Sequence, residues 1–157
     1  MKVMQKIAAV ACSAALACSM GAGVALAAGS YTPGTMPEEV VKGDVVNVNN
    51  GSKYVGVGTD KVAYSQPKST TISTARIRAT ANGVPVTSIK STAFKGCTKL
   101  KTVRVESSKV SAASVKAAVM KYKTVKKSVK TIKVKTRAQL KAFTKAFAGT
   151  GIKVKLL

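Results

Sequence analysis

Histidine and tryptophan are absent from this chain, and acidic residues are scarce, with five Asp plus Glu against 27 Lys plus Arg. Without histidine there is no Ser-His-Asp or Cys-His pair, no imidazole metal ligand, and no side chain whose ordinary pKa lies near neutrality. The few carboxylates do not pair for acid-base work either. Glu38 and Glu39 adjoin each other in an irregular stretch, Asp44 and Asp60 flank turns, and Glu106 stands alone. The chain therefore reads as non-catalytic, with no catalytic residue, cofactor or metal to assign. Its 157 residues permit one domain or a short repeat array.

Cysteine is also sparse, and its placement depends on how the N-terminus is read. Lys2 and Lys6 precede an apolar run from Ile7 to Ala17, followed by small residues ending in Ala25-Leu26-Ala27, the layout of a secretory signal peptide over residues 1–27. An uncleaved anchor from Ile7 to Ala28 is the structural alternative, and lipidation at Cys18 a third. Cleavage removes Cys12 and Cys18, leaving Cys97 with no partner for an intrachain disulfide, and lowers the formal charge from +22 to +20. The exported chain would be secreted or associated with the cell envelope, with no stable membrane insertion once the signal is gone.

What remains is organised by turns and recurrence. Residues 28–43 carry Pro33, Gly34 and Pro37 with little apolar periodicity, and read as a linker or flexible arm. Residues 44–71 read as a β-rich N-terminal cap. There VVNVNNGSKYVGV alternates around Asn50-Gly51, a hairpin signal, a further short strand follows over 60–65, and Pro67 marks a loop. Within the hairpin, the Gly56-Val57-Gly58 triplet lacks the later glycine and helix start of a phosphate loop and reads as a strand bulge or bend.

Over 72–157 four segments share a strand pattern: TARIRA at 74–79, KTVRV at 101–105, TIKVK at 131–135 and IKVKL at 152–156. From Ile77 to Val103, Ile132 and Val154 the spacings are 26, 29 and 22 residues, the period of a solenoid whose units each contribute one strand. Helical patterns lie between them. Val115, Val119 and Tyr122 share one face, as do Leu140, Phe143 and Phe147, with Thr136 as N-cap and Gly149 with Gly151 as terminator. KYKTVKKSVK at 121–130 has too thin an apolar stripe for a membrane helix and reads as a solvated helix end or loop. Strand, helix and strand of this length favour parallel pairing with the helices on one face, where Val103, Val105, Ile132, Val134, Ile152, Val154 and Leu156 would point.

VTSIKSTAFKGCTKLKTVRV, residues 86–105, resembles a BspA-like, treponemal-type leucine-rich repeat of bacterial secreted and surface proteins. The matching positions are Val86, Ile89, Ala93, Phe94, Cys97, Leu100, Val103 and Val105. Only one full repeat is present, because the units ending at Ile132 and Val154 lack the Ala-Phe and Cys positions. The resemblance implies a short α/β leucine-rich-repeat-like solenoid with a β-hairpin N-terminal cap, used for adhesion or surface interaction. Independently, Phe94, Cys97 and Leu100 at close spacing argue for a packed turn with a buried thiol, and an intermolecular disulfide is the rival use of Cys97.

If the four strands pair in order, their outward residues form a cationic ladder of Arg76, Arg78, Arg104, Lys133, Lys135, Lys153 and Lys155. Nothing within the molecule is expected to neutralise it, since no acidic residue follows Glu106. The expected partner is an anionic polymer, either a cell-wall polymer or a host glycan, or else a surface protein. Nucleic acid is disfavoured because 23 of the 27 basic residues are Lys, which lacks the planar fork that reads bases, and four of the seven aromatics sit at core positions. The competing expectations are a solvated Lys-rich surface on a passive structural fragment with no ligand, or nonspecific nucleic-acid binding.

Overall fold

The structure is a computed structural model that describes residues 30–31 and 39–157. The expected signal peptide at 1–27, with the anchoring and lipidation alternatives, lies outside the described residues. The fold is mixed α/β and is built from two sheets that the chain visits in turn. The first contains β1 (Ser30–Tyr31), β2 (Val45–Asn47), β3 (Lys53–Gly58) and β4 (Lys61–Gln66). The chain then crosses to the second sheet as β5 (Thr74–Ile77), returns as β6 (Thr80–Ala81) and β7 (Val84–Ile89), and crosses again as β8 (Thr102–Val105). Helices α1 (Ala112–Met120) and α2 (Lys123–Ser128), strand β9 (Thr131–Val134), helix α3 (Arg137–Ala146) and strand β10 (Lys153–Leu156) complete it.

The first sheet runs β1-β2-β3-β4-β7-β6, with β4 and β7 parallel. Its hairpins follow from turn chemistry. The β2–β3 turn carries Gly51 at φ 77°, and Asn50 Oδ1 accepts from the Ser52 amide at 2.9 Å. The β6–β7 turn places Asn82 and Gly83 at φ 48° and 87°, the paired left-handed conformation of a two-residue hairpin. In β3 the register slips between Gly56 and Gly58, so the glycine triplet is a bulge, as its sequence suggests.

The arm expected over 28–43 is partly built into this sheet. Ser30 and Tyr31 pair in parallel with Val45 and Val46, and Val40 is wholly buried. Two carboxylates hold that stretch: Asp44 Oδ2 accepts from the Val41 amide at 3.0 Å and Asp60 Oδ1 from the Val40 amide at 3.4 Å. Sequence pattern cannot show this, because the anchoring uses one apolar residue and side-chain acceptors from elsewhere in the chain.

The second sheet is all parallel, in the order β10-β9-β8-β5. Inward residues Ala75, Ile77, Val103, Val105, Ile132 and Val134 are fully buried. Helices cover that side: Val115, Ala118 and Val119 of α1, Val125 of α2 and Phe143 of α3 join them in one core. Ser111 and Thr136 cap α1 and α3 by accepting from the Ser114 and Gln139 amides. The basic stretch 121–130 forms the short α2, held by Val125 and Val129 while its lysines stay exposed.

One expectation for the inward face is corrected: Leu156, on the edge strand β10, is 41 % exposed. On α3 Leu140 packs against the core with the buried Phe143 and Phe147, and the polar Gln139 is buried beside them. The two sheets interleave along the chain, since β5 joins the second sheet before β6 and β7 join the first. One continuous apolar cluster runs from Val40 to Ile152. Among the described residues no helix is long and apolar enough to cross a membrane.

Between β7 and β8 the chain makes successive tight turns, including Ala93 N–H to Lys90 O at 2.9 Å and Cys97 N–H to Phe94 O at 3.1 Å. Ala93, Phe94, Cys97 and Leu100 all point into the core. Cys97 is a free, buried thiol, and desolvation pushes its pKa up. It is thus protected from both disulfide exchange and nucleophilic use.

Candidate functional site on the parallel sheet

Pairing in the second sheet is in register across all four strands. Arg76, Arg104, Lys133 and Lys155 are direct neighbours in a single row. Adjacent strands lie about 4.8 Å apart, so the row stacks four cations at that interval on the side facing away from the helices. A second row holds Thr74, Thr102, Thr131 and Lys153. Lys153, on the edge strand, therefore has Thr131 and not a cation as its direct neighbour. Arg78 and Lys135 fall just past the ends of β5 and β9, and Lys135 is exposed.

Glu106 corrects the expectation that this face is unopposed. It lies immediately after β8 and accepts from the Nε atoms of both Arg76 and Arg104. The carboxylate is well shielded, with 17 % of its side chain exposed against 53 % and 43 % for the two guanidinium side chains. One anion thus bridges the two arginines, and Lys133 and Lys155 form no ion pair among the described residues. The result is graded, with a partly compensated arginine end and an uncompensated lysine end.

Arg78 also departs from the expected open face. Its amide donates to the Tyr54 hydroxyl at 3.4 Å, and its Nε is buried without a hydrogen-bond partner. It lies where the second sheet abuts the β2–β3 hairpin. There a cavity of about 210 Å³ is lined by Ser52, Tyr64, Lys68, Thr74, Arg76 and Arg78, among others. Sequence reasoning missed Ser52, Tyr64 and Lys68, which belong to the first sheet and its loop and come beside β5 only through the fold.

No protein-family model matches the chain, and no curated protein or solved structure matches it. The chemistry of the face has to be read from its own residues. Among the described residues there is no cluster of three metal-ligating side chains. Asp44 and Asp60 accept from backbone amides, and Glu106 accepts from two arginines. What the face offers is positive charge at regular spacing, with hydroxyls alongside.

Proposed function

We propose that this chain is an exported, non-catalytic binding module that associates with anionic polymers of a bacterial cell envelope or host surface. The observation that carries this reading is the in-register row Arg76, Arg104, Lys133 and Lys155 on the helix-free side of the parallel sheet, exposed at its two ends and partly exposed between them. Like charges held side by side on neighbouring strands cost roughly 0.2–1 kcal/mol per directly opposed pair, so the row weakens the folded state by itself. A polyanion laid across the strands would relieve that repulsion and release its own counterions. Lysine point charges tolerate a polymer without fixed geometry.

The solenoid reading belongs to the same proposal. β4 then β5, and β7 then β8, each place one strand in the first sheet and one in the second, as a coil of repeats would. Burial of Phe94, Cys97 and Leu100 supports the leucine-rich-repeat resemblance at its most specific positions. β9 and β10, with helices between them, act as the closing units. Export rests on the N-terminal sequence alone.

The test is retention on immobilised cell-wall polymer, heparin and DNA across a salt series. Retention on the cell-wall polymer or heparin above that on DNA at about 0.15 M salt is expected, because polyvalent contacts survive screening at that strength. No retention on any of them overturns the proposal, and equal retention on all three reduces it to nonspecific cation behaviour. Neutralising Lys133, Lys135, Lys153 and Lys155 should weaken binding more than neutralising four helix lysines.

A further inference from the structure

We infer that the cavity where β5 meets the β2–β3 hairpin is a binding site for a compact oxyanion, a phosphate or the phosphoryl end of a small ester. Three features of its wall point there. First, its charged groups are all cationic, Lys68, Arg76 and Arg78, and no carboxylate lines it. Second, two of its residues hold buried polar atoms with no hydrogen-bond partner, the Tyr64 hydroxyl and the Arg78 Nε. Third, the remaining polar wall, Ser52, Thr74 and Asn50, supplies hydroxyl and amide groups; the Asn50 carbonyl oxygen is already taken by the Ser52 amide, which leaves its NH₂ to donate.

The two orphaned donors are the decisive feature. Tyr64 is fully buried, its ring packed edge-on against Tyr54 at 5.3 Å and tilted against Phe94 at 6.0 Å, so the hydroxyl cannot swing out to solvent. Ser52 lies close enough to oppose the upward shift that burial imposes on this phenol, yet no hydrogen bond of proper geometry joins the pair. A buried donor left unsatisfied costs about 1–3 kcal/mol, and the residues that carry these two atoms both line the cavity. Neither atom is open to solvent, so an oxyanion drawn in by the cationic wall would accept from the phenol and the Arg78 fork after a small shift of those side chains.

Size and charge narrow the class. At about 210 Å³ the space has room for a tetrahedral anion with part of its hydration or a short ester. Three nearby cations, one of them shared with Glu106, favour a dianion over a singly charged carboxylate. The site shares Arg76 with the row on the open face but does not depend on a polymer binding there.

The test is a titration of the chain with inorganic phosphate, glycerol 3-phosphate and acetate at constant ionic strength, followed by backbone amide NMR. Saturable shifts at Ser52, Thr74 and Arg78 with phosphate or glycerol 3-phosphate are expected. Phosphate alone assigns the free anion, and both together assign the phosphoryl group; either supports the site. Tyr64→Phe keeps the ring and removes only the hydroxyl, and Arg78→Lys keeps the charge and removes the fork. Each should weaken binding about fivefold or more, the effect of one lost hydrogen bond. Lys133→Gln, on the open face, should leave phosphate binding unchanged even where it weakens polymer retention. Non-saturable shifts, equal affinity for acetate, or full phosphate affinity in both cavity variants would overturn the inference.

Discussion

Gln139, in the first turn of α3, donates from its side-chain amide to the main-chain carbonyl of Ser107 at 2.7 Å, across 32 residues of sequence. The same nitrogen approaches the Val110 carbonyl at 3.3 Å, and the Ser107 hydroxyl in turn donates to the Val86 carbonyl in β7. Gln139 and Ser107 are among the few buried polar residues of the fold. Together they tie α3, the segment leaving β8, and the first sheet at one point. The link is a specific one, because no apolar side chain could satisfy those carbonyls.

Gln139→Leu should therefore destabilise the protein by about 1–3 kcal/mol even though it adds apolar volume to a helix face. The measurement is the urea midpoint at unchanged m-value, with the exposed neighbour Ala138→Gln as control, expected within about 0.5 kcal/mol of the parent. A Gln139→Leu variant as stable as the control would show that the carbonyls find other partners.

Legibility differed sharply between the two halves of the molecule. The strands 74–77, 102–105, 131–134 and 153–156 were readable from alternation and spacing, and the intervening helices made parallel pairing of the last three readable too, whereas β5 and β8 are joined through β6, β7 and tight turns with no helix. That Arg76, Arg104, Lys133 and Lys155 face outward was readable for the same reason, since a period of two fixes the face, but their separation into one row from Arg78, Lys135 and Lys153 depends on the strand register. Arg78, Tyr64 and Ser52 were not readable as a group, because they meet only where two sheets join and no periodicity connects them. The β6–β7 hairpin carried a signal in Asn82-Gly83, the same dipeptide as at Asn50-Gly51. Glu106 was visible as the last acidic residue, but its bridging of Arg76 and Arg104 depends on the register of β5 and β8 and so became apparent only in three dimensions.

The glycine triplet of β3 allows a paired test. At Gly56 a Cβ would collide with the Val41 carbonyl oxygen, and the backbone cannot retreat because Gly56 donates to Asp44 O while its own carbonyl accepts from Gly43. At Gly58 a Cβ would meet nothing within 4 Å. Gly56→Ala should cost more than about 2 kcal/mol or prevent folding, whereas Gly58→Ala should stay within about 0.5 kcal/mol of the parent. Thermal unfolding of the two variants decides it, and similar melting temperatures would refute the close approach.

Alkaline pH should weaken the fold through three buried groups. Burial raises Cys97 above its ordinary 9.0, and raises Tyr54 and Tyr64 above their ordinary 10.0. At neutral pH all three are protonated in both folded and unfolded chains and contribute no pH dependence. As pH climbs past 9.0 and then 10.0, the unfolded chain releases protons that the folded chain retains, so the slope of stability against pH turns negative. Urea titrations from neutral to strongly alkaline pH should show this loss, and Tyr64→Phe should make it shallower. An unchanged profile in that variant would mean that the phenol ionises as readily in the folded state as in the unfolded one.

Glu106 separates the row from net charge as the cause of polyanion binding. Glu106→Gln and Glu39→Gln each raise the formal charge by one, yet only the first uncovers Arg76 and Arg104. The cost of Glu106→Gln to stability should stay within about 1 kcal/mol, because both arginines are well exposed and solvent screens the pair. Its effect on binding should be larger, since the row would then present four uncompensated cations at about 4.8 Å spacing. The expected result is elution of Glu106→Gln from immobilised polyanion at higher salt than Glu39→Gln, which should differ little from the parent. Equal shifts for the two variants would make overall charge sufficient and remove the register of β5, β8, β9 and β10 from the explanation.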